Sequence, residues 1–391
     1  MLAFVLIGLV VGAGLLAMRG FRPTNPTLAD GLRCVEQADS EGVDRIEQAL
    51  IQQGSTDEAT VVRSAWLVRR GRYDLALNRL TPEMIAGPLK RQVLRLAGES
   101  LFHLGELERA EVLLMKLVAE HPDEVAAHRL LAVMYYDLGS PALALKALEA
   151  VVRLAPLDYR PHQMAGIILK DNEDFVSAVD QYRLGLSKMP PEDKRQELRQ
   201  ELAQVLISLR DFQGVIDVLA DAASSPDTDT QRAEAVWSLG DVARASQLVD
   251  QVLARHPDHV QALKLRAKLF DEAGQGEQAV TLLQKVLATE PFDVDARYQL
   301  VQLYGTLGKH AERAIEQIEY DRYRALQDRL IELNQQANSD PNALAPRREL
   351  VGVCRTLGRH KLADMWLRAA DHCTRRQQEQ VDLPSTNRSK L

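Results

Sequence analysis

A spacing of 34 residues constrains the fold of this chain more than any other feature of its sequence. Three sets of residues keep that spacing: Pro122, Pro156 and Pro190; Ala110, Ala144 and Ala178; and the small residues Gly98, Ala132 and Gly166. Independent marks at one period indicate internal repeats, which stack lengthwise because each repeat buries its apolar face only against its neighbours. With 391 residues, the chain can hold one long array instead of several globular domains.

Glycines continue the 34-residue spacing before and after the residues named above. Those predicted to mark the turn inside successive units are Gly71, Gly105, Gly139, Gly240, Gly274 and Gly308. Small residues suit the point where two helices cross closely, and a late proline ends the second helix of a unit. The sequence therefore predicts an all-α solenoid of helix-turn-helix pairs over residues 57–375. Irregularities are expected near 190–228 and 308–345, the second of them containing one lengthened helix.

Two neighbouring units carry the residue pattern of a known repeat. The first unit has Gly98, Leu101, Gly105, Ala110 and Pro122, and the second has Ala132, Tyr135, Gly139, Ala144 and Pro156. With these residues the chain resembles the tetratricopeptide repeat family. The resemblance implies a right-handed superhelix of helix pairs, whose first helices line a concave groove for peptides or partner proteins.

The N-terminal residues have the composition of a transmembrane helix. Met1–Met18 contains no charged side chain, and at about 1.5 Å per residue a helix of this length just crosses a bilayer core. No positive charge precedes the apolar run and no A-x-A site follows it, which favours a signal anchor over a cleaved signal. Arg19 and Arg22 lie in the linker at 19–26, so the positive-inside rule places the remaining chain in the cytoplasm.

A membrane span that leads directly into such repeats is similar to the architecture of the bacterial lipopolysaccharide assembly protein B family. That family ends in a rubredoxin-like metal module with paired C-x-x-C motifs. This chain has only Cys34, Cys354 and Cys373, and they form no C-x-x-C pair. The resemblance therefore stops before that module, and we expect free thiols, no metal site, no cofactor and no disulfide framework.

Both ends of the array are expected to differ from the regular units. Residues 27–54 contain two short amphipathic stretches, which we interpret as a degenerate helical pair that caps the array. Residues 376–391 have almost no apolar content and are predicted to be a disordered tail. The last three residues, Ser389-Lys390-Leu391, match a peroxisomal address. We interpret that match as coincidental, since a membrane span diverts the chain first.

Charge and motif content argue against two functional classes. The net charge of −7 comes from 55 acidic and 48 basic residues spread along the chain, without the basic stripe that nucleic-acid binding needs. No motif of a hydrolase, metalloprotease or phosphate-binding loop is present. Helix pairs occupy most of the chain, so we expect no catalytic residues and no small-molecule substrate.

One face of the first helices is the predicted binding surface. Residues spaced three, four and three apart share a helix face, and in the three regular units this face looks into the groove. The predicted partner-binding residues are Arg95, Phe102, Arg129, Tyr136, Arg160, Gln163 and Lys170. Guanidinium groups bind carboxylates bidentately and aromatic rings supply rigid contact area, so the face suits an acidic or aromatic-containing peptide. The alternative is a solvated face whose charges serve solubility.

Together these features predict a single-pass membrane protein whose repeats act as a non-enzymatic scaffold or adaptor for protein or peptide partners. Confinement at the membrane would raise the effective concentration of those partners. Two alternatives stay open. The array could lie outside the cytoplasm, in the periplasm, and serve envelope assembly or secretion, or the chain could be the regulatory subunit of a membrane enzyme complex.

Overall fold

The computed structural model describes residues 25–382, except 82, 85, 86 and 341. These residues form two compact units, one ending at Ala127 and one beginning at His128. The predicted span Met1–Met18, most of the linker and residues 383–391 lie outside the described residues. Among the residues described, the secondary structure is all-α, as the period predicts, and no helix is both long and apolar enough to cross a membrane.

The first unit begins with a short helix pair where the sequence predicts a degenerate one. Its helices are α1 (Leu28–Glu36), α2 (Ser40–Gln52), α3 (Thr56–Arg69), α4 (Tyr73–Arg79), α5 (Lys90–His103) and α6 (Leu107–Glu120). The next helix, α7 (Val125–Asp137), contains the division between the two units. Branched side chains fill the core of the first unit, among them Val43, Leu50, Val61 and Val93, which are almost fully buried.

The second unit continues the same alternation, in which odd-numbered helices are the first of each pair. Its remaining helices are α8 (Pro141–Leu154), α9 (Arg160–Asp171), α10 (Phe175–Ser187), α11 (Glu192–Ser208), α12 (Phe212–Leu219), α13 (Pro226–Ser238), α14 (Val242–Arg255), α15 (Val260–Glu272), α16 (Gly276–Thr289), α17 (Val294–Thr306), α18 (His310–Ser339), α19 (Leu344–Thr356) and α20 (His360–Asp382). Consecutive helices pack against each other, and the first helices α11, α13 and α15 also pack side by side. That second contact aligns the first helices along one surface.

Small residues lie where the period predicts close helix crossings. In the pair α9/α10, a Cβ on Gly166 would come within 2.7 Å of the ring of Tyr182, which is fully buried. The predicted turn glycines all have positive φ angles: Gly71, Gly105, Gly139, Gly240, Gly274 and Gly308. The pairs α9/α10 and α11/α12 lack this glycine and place Glu173 and Arg210 in the left-handed region instead. The local turn geometry is therefore kept where the glycine is missing.

The two predicted irregularities have different structures. The pair α11/α12 keeps a repeat-like core, since Ala203, Leu206, Val215 and Leu219 are buried, but its second helix has only 8 residues. In the second irregular stretch, α18 is one helix of 30 residues, which confirms the predicted lengthening. Its C-terminal half packs against α19 and α20.

The C-terminal end differs from the prediction. The last helix, α20, continues to Asp382 and so extends into residues 376–391, which were expected to be disordered throughout. Glutamine, glutamate and arginine, which make up residues 376–380, are good helix formers. A prediction based on apolar content alone does not count that propensity.

The last helices of the second unit contact turns near its beginning. The indole of Trp366 in α20 lies against Gly139 in the α7–α8 turn, where a Cβ would come within 2.3 Å of the indole Cζ3. Arg347 of α19 is fully buried and donates to the carbonyl oxygen of Gly139 at 3.4 Å. The amide of Asn338 in α18 donates to Asn172 at the end of α9, at 2.6 Å. We call these interactions the C-terminal contact; an array with neighbour contacts alone would not contain them.

Candidate functional site

A groove of 1090 Å³ in the second unit is lined by five consecutive first helices, α9, α11, α13, α15 and α17. Side-by-side packing of α11, α13 and α15 places their exposed faces next to each other. Carboxamide side chains are frequent in the lining: Gln200, Gln204, Gln231, Gln261 and Gln299. First helices therefore form a groove, as the tetratricopeptide resemblance implies. Most of this groove lies C-terminal to the three regular repeats.

Two of the cationic side chains in the groove are neutralised by neighbouring carboxylates. The ammonium group of Lys170 lies 2.5 Å from a carboxylate oxygen of Glu201. Lys264 pairs in the same way with Asp293 at 2.7 Å, and both of these side chains are largely buried. These lysines contribute to the structure of the wall, and a ligand would have to compete for them.

The other two cations of the groove are more available. The ammonium of Lys268 lies 5.4 Å from the centre of the Trp237 ring, whose indole N–H donates to Glu272 at 2.8 Å. Arg210 lies at the α11–α12 turn and also lines the groove. Within the described part of the chain, neither Lys268 nor Arg210 forms an ion pair. An acidic group of a ligand can therefore approach both.

Two of the predicted groove arginines share one carboxylate. Arg129 donates to Asp158 at 2.5 Å, and Arg160 donates to the same carboxylate at 2.8 Å. Burial raises the pKa of Asp158, but hydrogen bonds from Arg160 and the charge of Arg129 outweigh it and lower the pKa overall. Asp158 therefore stays ionised, and an acidic ligand would have to displace it from both guanidinium groups.

Of the remaining predicted residues in the second unit, Lys170 lines the groove and Tyr136 does not. The Tyr136 hydroxyl donates to Asp171 at 2.5 Å. Burial, together with this hydrogen bond, raises the pKa of Tyr136 above its usual value, so the phenol stays protonated. Gln163 is half-buried on α9.

The other two predicted residues, Arg95 and Phe102, belong to α5 of the first unit. The guanidinium of Arg95 lies 4.0 Å from the carboxylate of Glu99, one helical turn away. Phe102 contacts the ring of His103 edge-on, with the ring centres 5.1 Å apart. Both side chains are partly exposed, and their role in binding stays a prediction.

The groove residues that the site prediction missed lie within the first interruption of the period and after it. Lys264 and Lys268 stand ten and six residues before Gly274, as Arg129 and Val133 stand before Gly139. The same register, carried past the gap, would have selected these lysines. Nothing in the register shows which first helices enclose a groove, because that depends on how successive pairs pack.

The described residues offer no metal-binding group of three or more His, Cys, Asp or Glu side chains. No disulfide bond joins the three cysteines among the described residues, and burial raises the pKa of Cys354 to about 11, which keeps this thiol protonated. His259 caps α15, since its Nδ1 accepts from the main-chain N–H of Ala262 at 3.2 Å. His259 therefore has a structural role.

A family model described as tetratricopeptide repeat matches the sequence at residues 67–117, 113–159 and 230–293. Residues 67–159 and 230–293 are therefore similar to tetratricopeptide repeats, and each of the two compact units contains some of these residues. The match at 230–293 includes α15, which carries the Lys264 and Lys268 groove positions. A search of curated proteins finds no match to the chain.

Several solved structures are similar to parts of the chain. A tetratricopeptide repeat protein from Parabacteroides merdae ATCC 43184 is 16% identical, and the alignment covers 63% of this chain and 97% of that one with a TM-score of 0.42. PilF of Pseudomonas aeruginosa is 16% identical over 53% of this chain and 95% of its own, also with a TM-score of 0.42. YrrB, described as a tetratricopeptide repeat protein with an unusual peptide-binding site, is 17% identical over 47% of this chain and 96% of its own, with a TM-score of 0.39. Such low similarity carries no argument about what this chain binds.

Proposed function

We propose that this chain of tetratricopeptide repeats is a non-enzymatic scaffold that holds an extended segment of a partner protein in the groove of its second unit. The observation that carries the proposal is the groove lining, in which carboxamides from four first helices stand beside two cations that form no ion pair with any described residue. Carboxamide side chains both donate and accept hydrogen bonds, so they can pair with the main-chain amides of an extended peptide.

Two cations of the groove also favour a partner with an acidic side chain. Lys268 and Arg210 can each form a charge-assisted hydrogen bond with a carboxylate, and such bonds are stronger than neutral ones.

The groove proposal predicts that Lys268→Glu weakens peptide binding by about tenfold or more. A hydrogen bond to a charged group contributes about 1.5–3 kcal/mol, and about 1.4 kcal/mol corresponds to a tenfold change in affinity. Peptides are selected from a random dodecapeptide display library on the full-length chain in detergent micelles. Their dissociation constants are then measured by fluorescence anisotropy.

Lys146→Glu is the matched control, because Lys146 is an exposed residue of α8 outside the groove lining and the change in charge is the same. This variant is expected to bind the selected peptides within about twofold of the unchanged chain, as surface substitutions away from a site have small effects. A library that yields no binding peptide, or peptides that Lys268→Glu leaves unaffected, would show that the groove is not the binding site.

We also propose that Met1–Met18 anchors the chain in a membrane, with the repeats in the cytoplasm. The support is in the sequence: an uncharged apolar run is followed at once by Arg19 and Arg22. No role is carried over from the lipopolysaccharide assembly protein B family. A tether of this kind would confine the groove to the membrane surface and raise the effective concentration of partners there.

The anchor predicts that removal of residues 2–18 releases nearly all of the chain from the membrane fraction. Membranes from a bacterial host that expresses either form are washed with carbonate, and the repeats are detected by antibody. Protease added to intact spheroplasts should spare the repeats and digest them only after lysis. A shortened chain that still sediments with membranes contradicts the anchor, whereas digestion before lysis supports the extracytoplasmic alternative.

A further inference from the structure

A cavity of 390 Å³ lies beside the C-terminal contact, within the second unit. One side of this end cavity comes from the α7–α8 and α9–α10 turns, including Tyr136, Asn172 and Phe175. The other side comes from helices α18 and α20. Along α18, the lining residues are spaced four apart on one face: Leu330, Asn334 and Asn338. From α20, the lining residues are Leu362, Met365 and Trp366.

The lining selects for an uncharged, largely apolar occupant. Trp366, Leu330 and Met365 supply apolar surface beside the carboxamides of Asn334 and Asn338. The four charged side chains of the lining are two cations and two anions, so their charges balance: Lys170, Arg359, Asp171 and Glu173. Cavities of about 300–1,000 Å³ with an apolar lining and few polar groups are typical of binding sites.

The end cavity and the groove share one lining residue. Lys170, at the end of α9, lines both of them. A peptide that lies in the groove and continues past Lys170 would therefore come next to the end cavity.

We infer that the end cavity receives one large apolar side chain, aromatic or aliphatic, from the peptide that occupies the groove. The inference rests on the proposed function and adds a specificity pocket to it. Burial of such a side chain contributes about 1.5–3 kcal/mol, which corresponds to roughly tenfold to hundredfold in affinity. Because the cavity has one wall from α18 and α20, the C-terminal contact is part of the binding site.

The inference is tested with the peptides selected on the full-length chain. They are expected to share one large apolar residue at a fixed distance from their acidic residue, and its change to alanine should weaken binding by about tenfold or more. Asn334→Trp fills the cavity and should weaken the parent peptides to a similar extent. It should leave the alanine-substituted peptides unchanged, because these do not use the cavity.

Gln335→Trp is the matched control, since the neighbouring position on α18 is exposed and outside the cavity lining. Selected peptides without a shared apolar residue would overturn the inference, and so would parent peptides that bind Asn334→Trp as tightly as the unchanged chain. In either case the groove proposal is tested separately, by the effect of Lys268→Glu on peptide affinity. The alanine-substituted peptides also test the cavity on the unchanged protein, so the result does not depend on folding of the variant.

Discussion

Replacement of Arg347 by methionine is expected to destabilise the C-terminal helices by about 3–5 kcal/mol, because the buried carbonyl groups it serves lose a charged donor. The Arg347 side chain is fully buried. Its guanidinium donates to Ala343 at 2.7 Å, Ala337 at 2.9 Å, Asp340 at 3.0 Å and Gly139 at 3.4 Å, all at carbonyl oxygens. Methionine fills similar space but satisfies none of these acceptors.

The position of Arg347 explains why a cation is tolerated there. Three of its acceptors lie at the end of α18 and in the turn that follows, where unpaired carbonyls concentrate negative potential. Burial lowers the pKa of Arg347, yet an arginine side chain remains protonated in proteins. The carbonyls take the place of a carboxylate partner, so loss of the guanidinium exposes an uncapped helix end inside the unit.

Hydrogen exchange detected by mass spectrometry measures this effect locally, which suits an array whose units need not unfold together. Amides of α19 and α20 should exchange at least about a hundredfold faster in Arg347→Met than in the unchanged chain. Arg348→Met is the control, since Arg348 is exposed and makes only a 3.4 Å bond to Thr374. If the amides of α19 and α20 are equally protected in Arg347→Met and Arg348→Met, the hydrogen bonds from Arg347 to these carbonyl groups do not stabilise the C-terminal helices.

The periodic residues of the sequence are sufficient to predict the helix pairs but not to predict the C-terminal contact. Turn glycines, crossing residues and the lengthened α18 follow from local geometry, and each can be assigned from spacing alone. In contrast, Arg347 and Gly139 are 208 residues apart. A repeat model assumes that units contact only their neighbours, so it has no means of pairing such distant positions.

The candidate site shows the same limit at shorter range. The helix register selects the face on which Arg129 and Lys264 lie, but the carboxylates that bind them come from loops and from the next helix pair. Asp158 lies in the loop before α9 and binds Arg129, while Asp293 caps α17 and binds Lys264. A face defined by spacing therefore contains both satisfied and available charges, and only the packed structure separates them.

Gly139→Ala is expected to destabilise the second unit by about 3–4 kcal/mol, more than the same change at an open turn glycine. Gly139 has a φ of 62°, which costs an alanine about 1–2 kcal/mol, and the added Cβ would also meet the Trp366 indole at 2.3 Å. Gly274 has a φ of 73° but nothing within 4 Å of the Cβ position. Gly274→Ala therefore carries the backbone penalty alone and serves as the control.

A double-mutant cycle with Trp366→Leu separates the steric part of this penalty from the backbone part. Leucine removes the ring that occupies the Cβ position of residue 139, so Gly139→Ala should be less harmful in the Trp366→Leu background, by about 1–3 kcal/mol. Hydrogen exchange of the α20 amides, detected by mass spectrometry, supplies the four local free energies. If Gly139→Ala costs no more than Gly274→Ala, and its cost does not change when Trp366 is replaced, α20 does not rest on the α7–α8 turn. In that event α20 would not form one wall of the end cavity. The inferred specificity pocket would then be ruled out, because it depends on the C-terminal contact.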